Sequence, residues 1–311
     1  MKMKRWIGLG IGLGVALAAA LVDPSRHLLG FLQGECFYQW RPTSYWKKAL
    51  RDKSATARTE AIRELKEGRA TAVPVLRELL QEEKHSDWSA AEVRWMAAEI
   101  LGKIGPEAKT AIPDLIAALK DSDAHVRSVA ADSLGAIGPD AVAAVPALVE
   151  MLNTSDRLGA IKALRRFGPD AKPAVVALES FLKDEDAGVR WQAAWTLGKI
   201  GPQAKGAVPA LCAAMKDPDS LVREHAAEAL GDIGPEAREG IPALVAGLKD
   251  PQPKVRRDSA RSLGQMGPAA KTAVPALMDL LQEEDDPRVQ EAAGKALRNI
   301  DPLAKVPQHK P

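Results

Sequence analysis

Apolar residues recur every three or four positions along most of the chain, in short runs separated by polar turns. One copy of this pattern, residues 105–137, contains two such runs. The first begins at Pro113, which suits the first turn of a helix because proline lacks an N–H that would be unpaired there anyway. The second follows Asp123, a residue type that caps helix N-termini. The pattern predicts two short antiparallel helices in each copy, here called the A helix and the B helix.

The copies return at a nearly constant interval of 30 to 34 residues. A Gly-Pro pair ends each B helix, because glycine tolerates a left-handed backbone at a helix end and proline cannot continue the helix. The glycines of these pairs are Gly105, Gly138, Gly168, Gly201, Gly234 and Gly267. The A helices open at Pro74, Pro113, Pro146, Val176, Pro209, Pro242 and Pro275.

Two helices of this length bury too little apolar surface to be stable alone, whereas stacked copies share a continuous core. With a degenerate first pair at 42–65, the rhythm predicts an all-α fold, an α-solenoid of about eight antiparallel helix pairs over residues 42–301. Two copies are irregular. The pair that opens at Pro74 has six extra residues between its helices, including His85 and Trp88, and the pair that opens at Pro146 is three residues short.

The composition supports a helical core, since aromatic residues make up only 4% of the chain. Small and straight-chain side chains lose little rotamer freedom in helices, while the residues that strands favour are scarce. The 43 Lys and Arg residues nearly balance the 41 Asp and Glu residues, for a net charge of +2. A nucleic-acid binder usually carries a clustered basic excess, so we expect no nucleic-acid partner.

The first 22 residues carry a targeting signal. Lys2, Lys4 and Arg5 precede an uncharged apolar run at 7–22. The run is long for a signal-peptide core and short for a membrane span, so a cleaved signal peptide and an uncleaved anchor both remain open. Basic residues in front of the run direct the rest of the chain across the membrane in either case. We expect an exported, extracytoplasmic or periplasmic protein, anchored in the inner membrane by residues 6–22 if the segment is retained.

Two further segments flank the repeats. Residues 23–41 are rich in bulky apolar side chains such as Phe31, Phe37 and Trp40. Because a terminal repeat exposes one apolar face, we expect this stretch to cap the first pair. A second membrane-associated segment is the alternative. Residues 302–311 contain three prolines and are expected to be disordered.

A common motif covers the B helices. The string Val-Arg-x-x-Ala-Ala-x-x-Leu-Gly-x-Ile-Gly-Pro begins at Val126, Val189 and Val222. It resembles the HEAT repeat, in the phycobilisome-lyase-type subclass that is common in bacteria. The resemblance implies a right-handed superhelix whose B helices line the concave face. It also implies that this face is presented to protein partners, the commonest role of such repeats.

An arginine recurs near the start of the B helices, and we call these residues the arginine series. Its members are Arg94, Arg127, Arg157, Arg190, Arg223 and Arg256. A charge in a packed seam is usually paired. We therefore interpret the series as structural, each arginine pairing with an aspartate between helices, such as Asp123, Asp186 or Asp219. The alternative is an anion-binding ladder.

Tryptophans occupy B-helix positions off the apolar stripe. Trp191 and Trp195 lie four residues apart and share a helix face, and Trp95 holds the position equivalent to Trp191. Exposed aromatic side chains are typical binding hot spots. Together with Glu224 and Glu228 of the following repeat, they form the candidate partner-binding surface on the concave face. Alternatively, the indoles merely cover the seam between helices.

The sequence Glu224-His225-x-x-Glu228 prompts comparison with HEAT-like deoxyhypusine hydroxylases, which hold two irons with several His-Glu pairs. Here the pair occurs once and in reversed order, and a single histidine is a poor ligand set for iron or zinc. Bilin lyases share only the repeat itself. The repeats contain no nucleophile constellation and no phosphate loop. We expect no catalytic residue, no metal and no cofactor.

The two cysteines are Cys36 and Cys212. Five stacked pairs separate them, about 45 Å at roughly 9 Å per layer, so we expect no disulfide between them. Cys212 holds a position that other repeats fill with residues such as Ile116 and Val149, and we expect it in the core.

These features predict a scaffold or adaptor in the extracytoplasmic space that binds a protein or peptide along a concave groove. A structural spacer without a single partner is the second hypothesis. An enzyme of bilin-lyase or deoxyhypusine-hydroxylase type is the third.

Overall fold

The computed structural model describes residues 33–81 and 88–303, with the side chains of residues 88 and 89 left aside. Within these ranges sixteen α-helices form eight consecutive A–B pairs. The predictions for residues 1–32, for most of the insertion at 85–88 and for residues 304–311 lie outside the described residues.

The helices fall into two compact units, residues 1–144 and 145–311. The first unit contains α1 (Thr43–Leu50), α2 (Ala55–Glu67), α3 (Val73–Leu80), α4 (Trp88–Ile104), α5 (Ile112–Ala118) and α6 (Ala124–Ile137). The second contains α7 (Val145–Met151), α8 (Arg157–Phe167), α9 (Val175–Phe181), α10 (Ala187–Ile200), α11 (Val208–Ala214), α12 (Ser220–Ile233), α13 (Ile241–Gly247), α14 (Pro253–Met266), α15 (Val274–Glu283) and α16 (Pro287–Ile300).

Within each unit, an A helix packs on the B helix of its own pair, and each B helix packs on the next B helix. The core of each unit is therefore a line of small and branched apolar side chains, such as Leu134 in the first unit and Leu197, Leu230 and Leu263 in the second, all fully buried. The predicted all-α fold of stacked helix pairs is confirmed.

A 3₁₀ helix that the pattern did not predict precedes most A helices. In the second unit it covers residues such as Gly201–Ala207 and Gly234–Gly240. The proline that was predicted to open an A helix then stands in its first turn, as in α11 and α13. Each linker is consequently an ordered, compact turn rather than an irregular loop.

The Gly-Pro glycines end the B helices as predicted, but in a different backbone conformation. Gly138 has φ 86° and ψ −146°, and Gly201 has φ 70° and ψ −143°. This region is the mirror image of an extended strand and is essentially open only to glycine. The expected left-handed helical conformation is therefore wrong, because the chain turns directly from the B helix into the 3₁₀ helix.

A second glycine in the motif lets neighbouring B helices approach closely. A Cβ atom added at Gly198 would lie 2.9 Å from the Cα atom of Ala229, and one added at Gly264 would lie 2.8 Å from the Cα atom of Ala296. Ser262 Oγ also donates to the backbone oxygen of Ala227, 2.8 Å away, across the α12–α14 contact. Small residues at these positions thus set the spacing between repeats.

Residues 33–42 add a feature that the helical pattern did not predict, a two-stranded antiparallel ribbon. Strand β1 (Phe37–Tyr38) pairs with β2 (Arg41–Pro42) through a turn in which Gln39 and Trp40 have positive φ angles. The ring of Tyr38 is buried, and its hydroxyl donates to the backbone oxygen of Glu64 at 3.1 Å. The ribbon therefore packs on the first helix pair.

The cysteines are both free thiols, and each is half-buried. Burial raises the pKa of the Cys36 thiol to about 11, helped by a hydrogen bond to Glu78. Cys212 was expected in the core, but its side chain is only half-buried. Its equivalents Ile116 and Val149 are half-buried too, so this A-helix position is not fully buried in other repeats either.

Among the described helices, none combines the length and the apolar character needed to cross a membrane.

Candidate partner-binding surface

Three aromatic rings on α10 and α12 form one cluster, which we call the aromatic cluster: Trp191, Trp195 and His225. The ring centroids of Trp191 and Trp195 are 6.0 Å apart with an interplanar angle of 30°. The imidazole of His225 stacks on both, at 5.1 Å from Trp191 and 5.4 Å from Trp195. All three residues are half-buried. Stacking across the α10–α12 contact thus holds the rings in a fixed orientation while part of each remains accessible to a partner.

A cation closes one side of the aromatic cluster. The guanidinium carbon of Arg165, on α8, lies 3.8 Å from the centroid of a Trp195 ring. The same guanidinium donates to the side-chain oxygen of Gln192. Burial, with a smaller contribution from neighbouring Arg166, lowers the pKa of Arg165 below its usual value. The cation–π contact further restrains the Trp195 indole.

A carboxylate lies on the other side. His225 Nδ1 is 3.2 Å from the Oε2 atom of Glu228, and Lys199 Nζ lies 3.4 Å from Oε1. Lys199 also donates to Asp232 at 2.8 Å. The hydrogen bond to His225, followed by the nearby Lys199 cation, lowers the pKa of the Glu228 carboxyl to about 2. Glu228 therefore stays negatively charged beside the rings at any physiological pH.

Glu224, the other predicted acidic residue, lies one turn before Glu228 on α12. Its Oε1 atom is 3.9 Å from a guanidinium nitrogen of Arg257 on α14. Arg257 in turn makes shorter contacts of 2.9 and 2.8 Å to Asp258. Glu224 therefore contacts the following repeat.

Trp95 belongs to the first unit and has a similar neighbour. Its ring lies 5.0 Å from that of His125, at an edge-on angle of 67°. Like the residues of the aromatic cluster, Trp95 is half-buried. The structure thus brings Trp191, Trp195 and Glu228 together in one place, while Trp95 is part of a separate Trp–His pair.

The tryptophans are less exposed than their position off the apolar stripe predicted. Each contacts the B helix of the next repeat, so the indoles cover the seam while part of each stays exposed, and partner binding by these residues stays a prediction. Sequence reasoning weighed His225 only as a metal ligand and missed its stacking. A sequence signal existed, because His225 follows Trp191 by 34 residues and thus lies in the next repeat near the same B-helix position.

Five members of the arginine series lie in the seams between repeats, where their side chains contact carboxylates. Arg94 forms two hydrogen bonds of 2.9 Å with Asp121, 27 residues later, and both side chains are buried. The same spacing joins further pairs across repeats: Arg157 with Asp184, Arg190 with Asp217 and Arg223 with Asp250, and a 28-residue spacing joins Arg256 with Glu284.

The aspartates named in the sequence hypothesis have a different role. Asp123, Asp186 and Asp219 cap the B helices, so their assignment as arginine partners is wrong. The partner lies two positions earlier in each turn, where its carboxylate also accepts the cap residue's N–H, as Asp121 does from Asp123 at 2.9 Å. Arg127 donates to the backbone oxygen of Asp121 at 2.8 Å in its own turn. The residue 27 positions after Arg127 is the uncharged Thr154.

Metal-ligand geometry is lacking around His225. In the described part of the chain, no three His, Cys, Asp or Glu side chains lie close enough together to hold a metal ion. The carboxylate of Glu228 is held by a hydrogen bond with the His225 ring. The arrangement around His225 can hold a side chain of a partner by stacking and by charge.

Comparison with known proteins places the repeats in a family. A family model of HEAT repeats matches residues 43–111, 85–165, 153–231 and 208–298. Among solved structures, an engineered protein is 25% identical over 83% of this chain and 78% of that chain, with a TM-score of 0.57. No curated protein sequence matches.

Two further solved structures resemble the chain more distantly. A second engineered protein is 24% identical over 72% of this chain and 96% of its own, with a TM-score of 0.42. The complex of CpcE and CpcF of phycocyanin lyase from Nostoc sp. PCC7120 is 20% identical over 83% of this chain and 94% of its own, with a TM-score of 0.44.

The family matches run from residue 43 to residue 298, the range that contains the eight helix pairs of the described residues. HEAT-repeat solenoids are generally protein-interaction scaffolds. The resemblance seen in the B-helix motif is confirmed, and the chain belongs to the HEAT-repeat family.

Proposed function

We propose that this protein is a non-enzymatic scaffold that holds a protein or peptide partner against its B helices, with the aromatic cluster as the main contact. Its location is the extracytoplasmic space, reached through the N-terminal segment 1–22. The concave face that the HEAT resemblance implies is where the partner lies. The family supports the general role, and the aromatic cluster supports the choice of site.

One observation carries the choice of site: three half-buried rings are stacked and restrained without filling the core. A partner that packs on them loses little side-chain entropy of the scaffold, because stacking and the Arg165 contact already fix the rings. Tryptophan contributes large contact area to interfaces and is enriched among hot-spot residues. The permanently charged Glu228 at the edge favours a partner that presents a cationic or hydrogen-bond-donating group beside an apolar one.

The double substitution W191A/W195A tests this proposal. We expect it to abolish capture of the proteins that the wild-type chain retains from a membrane fraction, because it removes most of the contact area. Helical content by circular dichroism should be unchanged. The melting temperature should fall by a few degrees, since aromatic pairs contribute about 0.5–1.5 kcal/mol each.

A control variant, V142A/V176A, removes two exposed apolar side chains that lie outside the B helices. It should capture the same proteins as the wild type. Retention of every wild-type partner by a folded W191A/W195A protein would exclude the aromatic cluster as the contact.

A further inference from the structure

The B-helix surface of residues 145–303 changes its chemistry from one repeat to the next. Two positions recur on this surface, two and six residues after the valine that opens the motif. The pairs of residues at these positions are Trp191 and Trp195 on α10, Glu224 and Glu228 on α12, and Arg257 and Arg261 on α14. An aromatic surface is thus followed by an acidic one and then by a basic one.

The basic end forms a cleft between α14 and α16 with a volume of about 770 Å³. Its floor is made by Gly264, Ala292 and Ala296, and the helices approach each other closely at Gly264 and Ala296. Its rim carries Arg257, Arg261, Arg288 and Lys295, and we call this site the basic cleft. The volume lies within the range typical of ligand sites in proteins.

Three of the four cations of the basic cleft are not neutralised as most members of the arginine series are. Arg261, Arg288 and Lys295 are exposed, and their side chains form no hydrogen bond or ion pair with another described residue. Arg257 is held by Asp258. Glu291 is the one acidic residue among the described residues that line the cleft. With Arg257 paired, three exposed cations against one carboxylate give the cleft a positive potential that an anionic ligand would complement.

We propose that the basic cleft binds a short acidic segment of a polypeptide partner. A nucleic-acid backbone continues past any cleft of this size, and the carboxylates of Glu224, Glu228 and Asp232 on the adjoining α12 would repel its phosphates. A polypeptide can instead place a few acidic residues in the cleft and uncharged residues beside it. The chain's own C-terminal end is a poor complement, since residues 302–311 contain Lys305 and Lys310 and no acidic residue.

This site goes beyond the proposed contact at the aromatic cluster, and a direct binding measurement tests it. The probe is a fluorescein-labelled ten-residue peptide of alternating glutamate and glycine, followed by fluorescence anisotropy with the full chain at low ionic strength. We expect the wild type to bind it and not to bind the same peptide with glutamine in place of glutamate. The variant R261A/R288A/K295A should bind about tenfold more weakly, because three exposed charge pairs of modest strength are lost.

A matched variant, K172A/K205A/K271A, removes three exposed cations from the linkers of the same unit. It should stay within about twofold of the wild-type affinity, since its overall charge changes equally but its cleft is intact. Equal losses in the two triple variants would overturn the proposal, as would a wild type that does not bind the glutamate peptide.

Two further measurements distinguish an acidic peptide from a phosphate-bearing ligand and the basic cleft from the aromatic cluster. The first measurement uses a labelled single-stranded oligonucleotide and phosphatidylglycerol vesicles as probes. If either binds more tightly than the peptide, and the triple variant R261A/R288A/K295A weakens that binding, the basic cleft is a site for a phosphate-bearing ligand and the peptide proposal is overturned. The W191A/W195A variant should bind the peptide as the wild type does. That result would keep the basic cleft supported even if the aromatic cluster proves not to bind a partner, and loss of binding would contradict a separate site.

Discussion

At the scale of single residues, Glu228 shows how the repeats turn an ordinary side chain into a fixed charge. Its carboxylate contacts His225 within its own helix and Lys199 on the preceding B helix. The hydrogen bond to His225 is the largest reason that its pKa falls from the ordinary 4.5 to about 2. Burial opposes this shift, and the two cationic or hydrogen-bonding neighbours outweigh it.

A lowered pKa makes stability depend on pH in a defined direction. The folded carboxylate keeps its charge below pH 4.5 while the unfolded one takes up a proton, so Glu228 stabilises the protein above that pH. We expect the stabilisation to be lost as the pH falls from about 4.5 to about 2. Relative to E228Q, the wild type should be more stable at neutral pH by on the order of 2 kcal/mol and equally stable near pH 2.

Urea unfolding of both proteins as a function of pH measures this difference. E185Q, which changes an exposed carboxylate in the turn before α10, serves as the control and should follow the wild type throughout. If the difference in unfolding free energy between wild type and E228Q stayed constant over the whole pH range, the charge of Glu228 would not be what stabilises the protein.

At the scale of helices, the motif Leu-Gly-x-Ile-Gly-Pro contains two glycines with different structural roles. The second, as at Gly234, ends the B helix with a φ of 77°, which a side chain would strain. The first, as at Gly198 and Gly264, faces the next B helix at a distance that leaves no room for a methyl group. The Gly-Pro pair in the sequence predicted the role of the second glycine, which is to end the B helix. The role of the first glycine was not predicted, because helical periodicity does not reveal how closely a neighbouring helix approaches.

The substitution G198A should therefore destabilise the protein even though alanine favours helices. The added methyl group would lie 2.9 Å from the Cα atom of Ala229, so α10 and α12 must move apart. Overpacking of this kind costs about 1–3 kcal/mol. Thermal unfolding measures the effect.

The matched substitution is G206A, in a 3₁₀ helix of the same unit, where an added Cβ atom meets nothing within 4 Å. It should be neutral or slightly stabilising, because alanine restricts the unfolded chain. If G198A were as stable as G206A, the close contact between B helices would not set the repeat spacing.

At the scale of the whole molecule, stacking gives each repeat its stability while leaving its outer residues free to differ. The arginine series and its carboxylate partners recur across the seams between most repeats, whereas the outer B-helix positions change from aromatic to acidic to basic. Such a chain can present several chemically distinct surfaces on one regular framework. A partner that spans the aromatic cluster and the basic cleft would gain affinity from both.

Export remains a prediction of the N-terminal sequence, and a fusion tests it. Alkaline phosphatase joined after residue 41 should be active in bacterial cells, because the enzyme folds with its disulfides only outside the cytoplasm. Replacing Lys2, Lys4 and Arg5 with glutamate should lower that activity, since these positive charges orient the apolar run. A fusion that is inactive although it accumulates would contradict export. The mass of the purified protein then distinguishes a cleaved signal peptide from a retained anchor.

The sequence by itself determined the repeat. Its apolar rhythm, its helix-starting prolines and capping aspartates such as Asp123, and its Gly-Pro stops are local signals that act within a few residues, so they could be read without a structure. The arginine series was readable as a repeating feature for the same reason. Its partners were not, because the choice between Asp121 and Asp123 depends on where the neighbouring repeat lies.

Tertiary structure alone decided the arrangement of the candidate sites. Whether Trp191 and Trp195 are exposed, stacked or buried depends on the spacing of α10 and α12, and that spacing is set by contacts such as Gly198 with Ala229. The stacking of His225 on the tryptophans, the contact of Arg165 with Trp195 and the basic cleft all join residues from different repeats. They arise from packing between helices about 30 residues apart in the chain, which no local pattern encodes.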